Sequence, residues 1–135
     1  MTAKEEHMKH ALELACKGVG SVNPNPAVGC VIVKENEVIG KGWHKASGKE
    51  HAEINALNNV KKKYGSLAKK KLLGSELYVT LEPCSKKGKT PPCFKSIVAA
   101  GIKKVYIAQE DPTQEGIENL TNAGLQIHLN RIDIL

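Results

Sequence analysis

Long apolar runs are missing from this chain, and no stretch could span a bilayer. Its first residues, Met1-Thr2-Ala3-Lys4-Glu5-Glu6, are charged and lack the apolar block of a signal peptide. A cytoplasmic protein with no membrane partner is therefore expected. Arginine is nearly absent as well: Arg131 is the only one among twenty basic residues. Bidentate readout of bases and stacking on them favour arginine. The net charge of +6 is thus carried by lysine, which argues against a nucleic-acid partner. Internal repeats and low-complexity segments are also lacking. The runs Lys61-Lys62-Lys63 and Lys69-Lys70-Lys71 could meet phosphates, but their simpler reading is a solvated helix end and loop. Four cysteines in a reducing compartment are expected as ligands or buried thiols rather than disulfides.

The 135 residues are 41% hydrophobic, enough for a single domain, 1–135, with one core. Thr2 and Glu5 form a capping box, followed by Met8, Ala11, Leu12 and Ala15 at helical spacing. Cys16 is expected beside that stripe, in the core. Asn23-Pro24-Asn25-Pro26 is a rigid loop that cannot be helix or central strand. The apolar run 27–33, with Cys30 as packing, and a second strand that starts at Val38-Ile39-Gly40 and ends at Gly42-Trp43-His44 make a hairpin. A helix opens at His51. The basic, glycine-interrupted stretch 61–74 is expected as a surface extension. Strand 77–81 runs into Glu82-Pro83-Cys84, and Pro91-Pro92 start a helix that stops at Gly101. A strand at 105–108, a short helix at 115–123 and a last strand at 125–129 complete the order α-β-β-α-β-α-β-α-β. That alternation predicts an α/β fold with a five-stranded sheet, parallel in its second half, and helices on both faces.

The chemistry concentrates in His51-Ala52-Glu53, Glu82-Pro83-Cys84 and Pro91-Pro92-Cys93. One imidazole and two thiols make three ligands for zinc and leave its fourth position for water, and a nearby carboxylate, Glu53, can move protons. His51 and Cys93 fall at helix starts, where partial positive charge favours thiolate. Cys84 follows the end of a strand, the usual site edge in open α/β sheets. Alone, an H-x-E or a pair of cysteines says little. Together they specify a hydrolytic zinc site.

The H-x-E…P-C-x-x-C pattern is the known signature of zinc deaminases, and the chain resembles the cytidine-deaminase-like proteins. Within them it is similar to the deaminase domain of bacterial riboflavin biosynthesis. Carrying the resemblance are Asn23-Pro24-Asn25-Pro26-Ala27-Val28-Gly29-Cys30, Gly40-Lys41-Gly42-Trp43-His44, His51-Ala52-Glu53, Tyr78-Val79-Thr80-Leu81-Glu82-Pro83-Cys84-Ser85 and Gly88-Lys89-Thr90-Pro91-Pro92-Cys93. The eight residues between Cys84 and Cys93 are the most specific feature, since deaminases of tRNA or cytidine resemble P-C-x-x-C. The resemblance implies a three-layer α/β/α fold and hydrolytic deamination of 2,5-diamino-6-ribosylamino-4(3H)-pyrimidinone 5′-phosphate. It implies Zn2+ on His51, Cys84 and Cys93, with Glu53 as proton shuttle. Asn25, His44, Thr90 and Asp111 would line the substrate pocket, with Lys86 and Lys89 as a phosphate clamp. It also implies a homo-oligomer, and a separate NADPH-dependent reductase acting on the product.

Four departures accompany the match. Lys86 stands where the family usually has histidine. Asp111-Pro112-Thr113-Gln114 replaces D-P-N-P, with a shortened loop. The 61–74 segment is longer than usual. The chain ends at Leu135, without the reductase to which the family enzyme is commonly fused. Competing readings are a zinc deaminase of another small heterocycle or of tRNA, or a zinc-binding module without activity.

Overall fold

The structure, a computed structural model, describes residues 2–21, 26–46, 49–85 and 92–129. It opens with α1 (Ala3–Cys16), started by the reciprocal Thr2–Glu5 capping box: Thr2 Oγ1 accepts from Glu5 N at 3.2 Å, and Glu5 Oε1 from Thr2 N at 3.3 Å. Met8, Ala11, Leu14 and Ala15 form its buried face, while Leu12 is only half-buried. Cys16 is exposed, contrary to expectation. One residue past Ala15 the helix has already turned the side chain off the stripe.

Strands β1 (Gly29–Lys34) and β2 (Glu37–Trp43) form the expected hairpin. Its turn, Glu35-Asn36, has φ of 51° and 64°, the left-handed pair that suits a two-residue hairpin connection. β3 (Glu76–Val79), β4 (Lys104–Ile107) and β5 (Gln126–Leu129) complete a five-stranded sheet of order β2-β1-β3-β4-β5. β1 runs antiparallel to both of its neighbours, and β3, β4 and β5 are mutually parallel. The sheet is mixed, as expected.

Alternation along β1 divides the core. Val31 and Val33 face α1 with Tyr78 and Tyr106. Cys30 and Ile32 face the opposite layer of α2 (Ala52–Tyr64), α3 (Ala68–Leu72), α4 (Cys93–Ala99) and α5 (Gly116–Asn122). Three layers, α/β/α, result. Among the described residues no helix is long and apolar enough to cross a membrane.

The 61–74 segment differs from the expected surface extension. α2 continues to Tyr64, a 3-10 turn spans Gly65–Leu67, and α3 follows. Ala68 and Leu72, four apart on one helical face, are buried in the main core. The six lysines at 61–63 and 69–71 are exposed, and Lys63 and Lys71 lie 5.4 and 5.3 Å from the Tyr64 ring centroid. The second lysine run therefore sits on a helix and not in a loop. Alternating lysine with a two-residue apolar contact masks the helical period in sequence.

Candidate metal centre and its cleft

Two close backbone approaches set the site. α2 lies directly on β2, where a Cβ on Gly42 would stand 2.4 Å from Ala56 N and 2.7 Å from Ala52 O. Only a residue without a side chain lets the helix sit so near. Asn55 Nδ2 ties the first turn back to Trp43 O at 2.8 Å. His51 is the N-cap of α2, in extended conformation with φ −72° and ψ 166°. Glu53 lies in the first turn and is 3% exposed. From the exit of β3 comes Cys84. Cys93 is the first residue of α4, with Pro92 as N-cap.

These three segments converge. The ligand atoms of His51, Cys84 and Cys93 all lie within 4.8 Å of one another. His51 Nδ1 is 3.6 Å from Cys84 Sγ and 3.3 Å from Cys93 Sγ. Neighbouring ligands of tetrahedral zinc, with bonds of about 2.0–2.3 Å, stand roughly 3.5–3.8 Å apart. The donor set and its spacing both fit zinc. Cys93 N also donates to Cys84 Sγ at 3.1 Å, orienting that sulfur.

The thiols are electrostatically unequal. Cys84 is held down to about 4, first by a hydrogen bond from the Cys93 thiol and further by His51 and Cys93 N–H. Cys93 is pushed far up by its place beside that thiolate and by burial. A pair sharing one proton behaves this way. The His51 imidazole is raised, chiefly by its hydrogen bond to Cys84. Burial pushes Glu53 up to about 7, near neutrality for a group that must both take and give protons.

Beside the triad is a cleft of about 190 Å³ lined by His44, Glu53, Glu82, Asp111 and Gln114, among others. His44 is 2% exposed and meets His51 edge-on, ring centroids 5.2 Å apart. Its Nδ1 lies 3.0 Å from Glu50 O. The structure thus brings His51, Glu53, Cys84, Cys93, His44 and Asp111 together. Asn25, Lys86, Lys89 and Thr90 lie outside the described residues.

Sequence reasoning gave no role to Glu82, Ser85 or Gln114. Glu82 is 7% exposed and accepts from Asp111 N at 3.0 Å and from Ile117 N at 3.1 Å. One buried carboxylate thereby holds both ends of the loop carrying Asp111 to the segment carrying Cys84. Its signal was an acid fixed beside proline and a ligand cysteine, in a motif where only the cysteine was assigned.

A family model described as the cytidine and deoxycytidylate deaminase zinc-binding region matches residues 1–109. Riboflavin biosynthesis protein RibD of Bacillus amyloliquefaciens is 48% identical over 128 residues, 92% of this chain and 32% of that protein. The chain therefore spans about a third of that relative's length. A diaminohydroxyphosphoribosylamino-pyrimidine deaminase of Buchnera aphidicola subsp. Schizaphis graminum is 42% identical over 127 residues, covering 91% of this chain and 81% of that protein. Among solved structures, a diaminohydroxyphosphoribosylaminopyrimidine deaminase/5-amino-6-(5-phosphoribosylamino)uracil reductase of Thermotoga maritima superposes with a TM-score of 0.86 at 44% identity. That match covers 93% of this chain and 36% of the other.

Proposed function

The chain belongs to the cytidine and deoxycytidylate deaminase family, and on that premise we propose that it deaminates 2,5-diamino-6-ribosylamino-4(3H)-pyrimidinone 5′-phosphate in riboflavin biosynthesis. The observation that carries this reading is the His51–Cys84–Cys93 triad beside buried Glu53 in one cleft. The names of the relatives supply the substrate. His51, Cys84 and Cys93 hold the zinc. Bound there, it supplies Lewis acidity that brings the pKa of a water to about 7.

Glu53 carries the protons. Its carboxylate takes one from the attacking water and delivers it to the ring nitrogen beside C2. A second transfer through Glu53 protonates the amine on C2, the C–N bond breaks, and ammonia leaves as the carbonyl forms. Water and an amine become a carbonyl and ammonia, with no redox change. Burial strengthens each of these transfers by excluding competing solvent. His44 and Asp111 bind the substrate from the cleft walls; Asn25, Lys86, Lys89 and Thr90, outside the described residues, are the further substrate contacts of this reading.

Residues 1–135 act as a single deaminase domain, in keeping with one sheet that carries both core clusters. The cytoplasm suits a phosphorylated metabolite as substrate. An NADPH-dependent reductase outside these residues takes the product on, consistent with the two activities named for the Thermotoga protein. A homo-oligomer is proposed, in keeping with the large apolar side chains Leu67 and Leu73 that the surface leaves exposed.

Ammonia release from zinc-loaded protein tests the reading, with the riboflavin precursor, free cytidine and tRNA as parallel substrates. Release from the precursor alone is expected. Release from tRNA or cytidine instead would replace the substrate and keep the chemistry.

A further inference from the structure

Gln114 replaces a family residue in the shortened loop before α5, and its hydrogen bonds fix what it can offer a ligand. It lines the same cleft as His51 and Glu53. Its Oε1 accepts from Ser85 N at 2.8 Å and from Ser85 Oγ at 3.1 Å. A backbone N–H can only donate, so the atom facing it is the carbonyl oxygen and the amide has one orientation. Ser85 Oγ accepts in turn from Glu115 N at 2.7 Å, which leaves its proton for Gln114. Both lone pairs of Oε1 are therefore engaged. What remains is an NH2 group with two donors and no acceptor.

Tying down the loop does not require this side chain. Glu82 already holds the loop at Asp111 N and Ile117 N. Gly116 packs so closely that a Cβ there would lie 2.0 Å from Pro83 O. The Ser85 clamp adds orientation, and it does so beside ligand Cys84. Of the other polar side chains in this wall, Glu53, Glu82 and Asp111 are carboxylates, while His44 Nδ1 meets Glu50 O and His51 Nδ1 faces the two thiols. An oriented donor among them selects for an oxygen acceptor.

We propose that Gln114 is a substrate-binding residue that donates from Nε2 to an oxygen of the substrate, either a ring carbonyl or a phosphate oxygen. The inference rests on the deaminase reading above. It assigns the contact that Thr113, standing where the family has asparagine, leaves open.

Two near-isosteric variants test it, Gln114→Glu and Gln114→Met. Glutamate keeps an acceptor for Ser85 and turns the donor into an acceptor. Methionine removes the donor without adding charge. Both should raise KM, by about 10-fold or more for Gln114→Glu and roughly 3- to 10-fold for Gln114→Met, the range of one lost hydrogen bond. kcat should change much less, and zinc content and melting temperature should stay at wild-type values for Gln114→Glu. A loop-tying role would leave the KM of Gln114→Glu unmoved, because a carboxylate accepts the Ser85 bonds equally well.

The dephosphorylated nucleoside, measured as a competing inhibitor, separates the two oxygens. An inhibition constant that shifts along with KM identifies the ring, and one that stays fixed identifies the phosphate. KM values within twofold of wild type in both variants would overturn the proposal and leave the deaminase reading standing. A wild-type protein that releases no ammonia from the precursor would overturn both.

Discussion

Glu53 is a carboxylate with 3% of its surface exposed, in a protein that places a histidine and two sulfurs beside it. Glu53→Gln keeps the shape and removes the proton transfer. Its kcat should fall about 10²- to 10⁴-fold with zinc stoichiometry unchanged by metal analysis; a variant turning over at the wild-type rate would refute the shuttle. The same burial has a consequence for stability. Glu53 titrates at about 7 in the metal-free folded chain against an ordinary 4.5. Between those values the folded state holds the proton that the unfolded state has released, so the stability present below pH 4.5 is lost as pH rises through 7. Metal-free Glu53→Gln should exceed metal-free wild type by ~1–3 kcal/mol at pH 8, a gap that closes near pH 4. Urea unfolding of chelator-treated protein at the two pH values measures it. The identity of Glu53 was legible in H-x-E; its burial was not, because that depends on how closely α2 sits on the sheet. Gln114 was illegible for a related reason. Its chemistry is set by Ser85, 29 residues away.

At the level of elements, α2 is placed by contact of backbone on backbone, with Gly42 beneath Ala52 and Ala56. Gly42→Ala must lift the first turn of α2 off β2, and that turn carries His51 and Glu53. Overpacking of this kind costs about 1–3 kcal/mol, and zinc affinity should drop with it. Competition against a chromophoric chelator measures the affinity and chemical denaturation the stability. Lost stability with wild-type zinc affinity would show that the seating of the helix does not set the site. The Gly40-Lys41-Gly42 motif was visible in the sequence only as part of a resemblance, and the contact supplies its physical reason. The order of elements along the chain was readable because apolar runs and turn residues alternate cleanly through 27–40 and 105–129. The 61–74 stretch was misread because α3 is a short helix with two buried residues, Ala68 and Leu72, among exposed lysines. Too few apolar positions are present there for a period to register.

For the whole molecule, a zinc ion held by the triad would tie together residues 51, 84 and 93, drawn from a helix start, a strand exit and a second helix start. The motif announced the ligands, but their convergence depends on α2 and α4 packing side by side behind β3, which no local pattern encodes. Charge was legible as composition only: the lysine runs 61–63 and 69–71 add to the net charge of +6 yet are exposed on α2 and α3 and do not line the cleft. Without metal, the thiols share a proton. Cys84 is held low, while Cys93 and His51 are both raised. Metal ligands must be deprotonated, so zinc has to displace the proton on Cys93 and, in part, that on His51. Binding should therefore release at least one proton at pH 7, and affinity should climb about tenfold per pH unit for each proton displaced. Calorimetry in buffers of different ionisation enthalpy counts those protons, and a count of zero would refute the shared-proton arrangement. Because only the folded chain assembles the triad, free zinc at a thousandfold excess over Kd should add about 4 kcal/mol of stability. That gain should shrink as pH falls from 8 to 6, in step with the proton count. A melting temperature that responds to chelator equally at both pH values would mean that the protons and the metal do not compete for the same sulfur and imidazole.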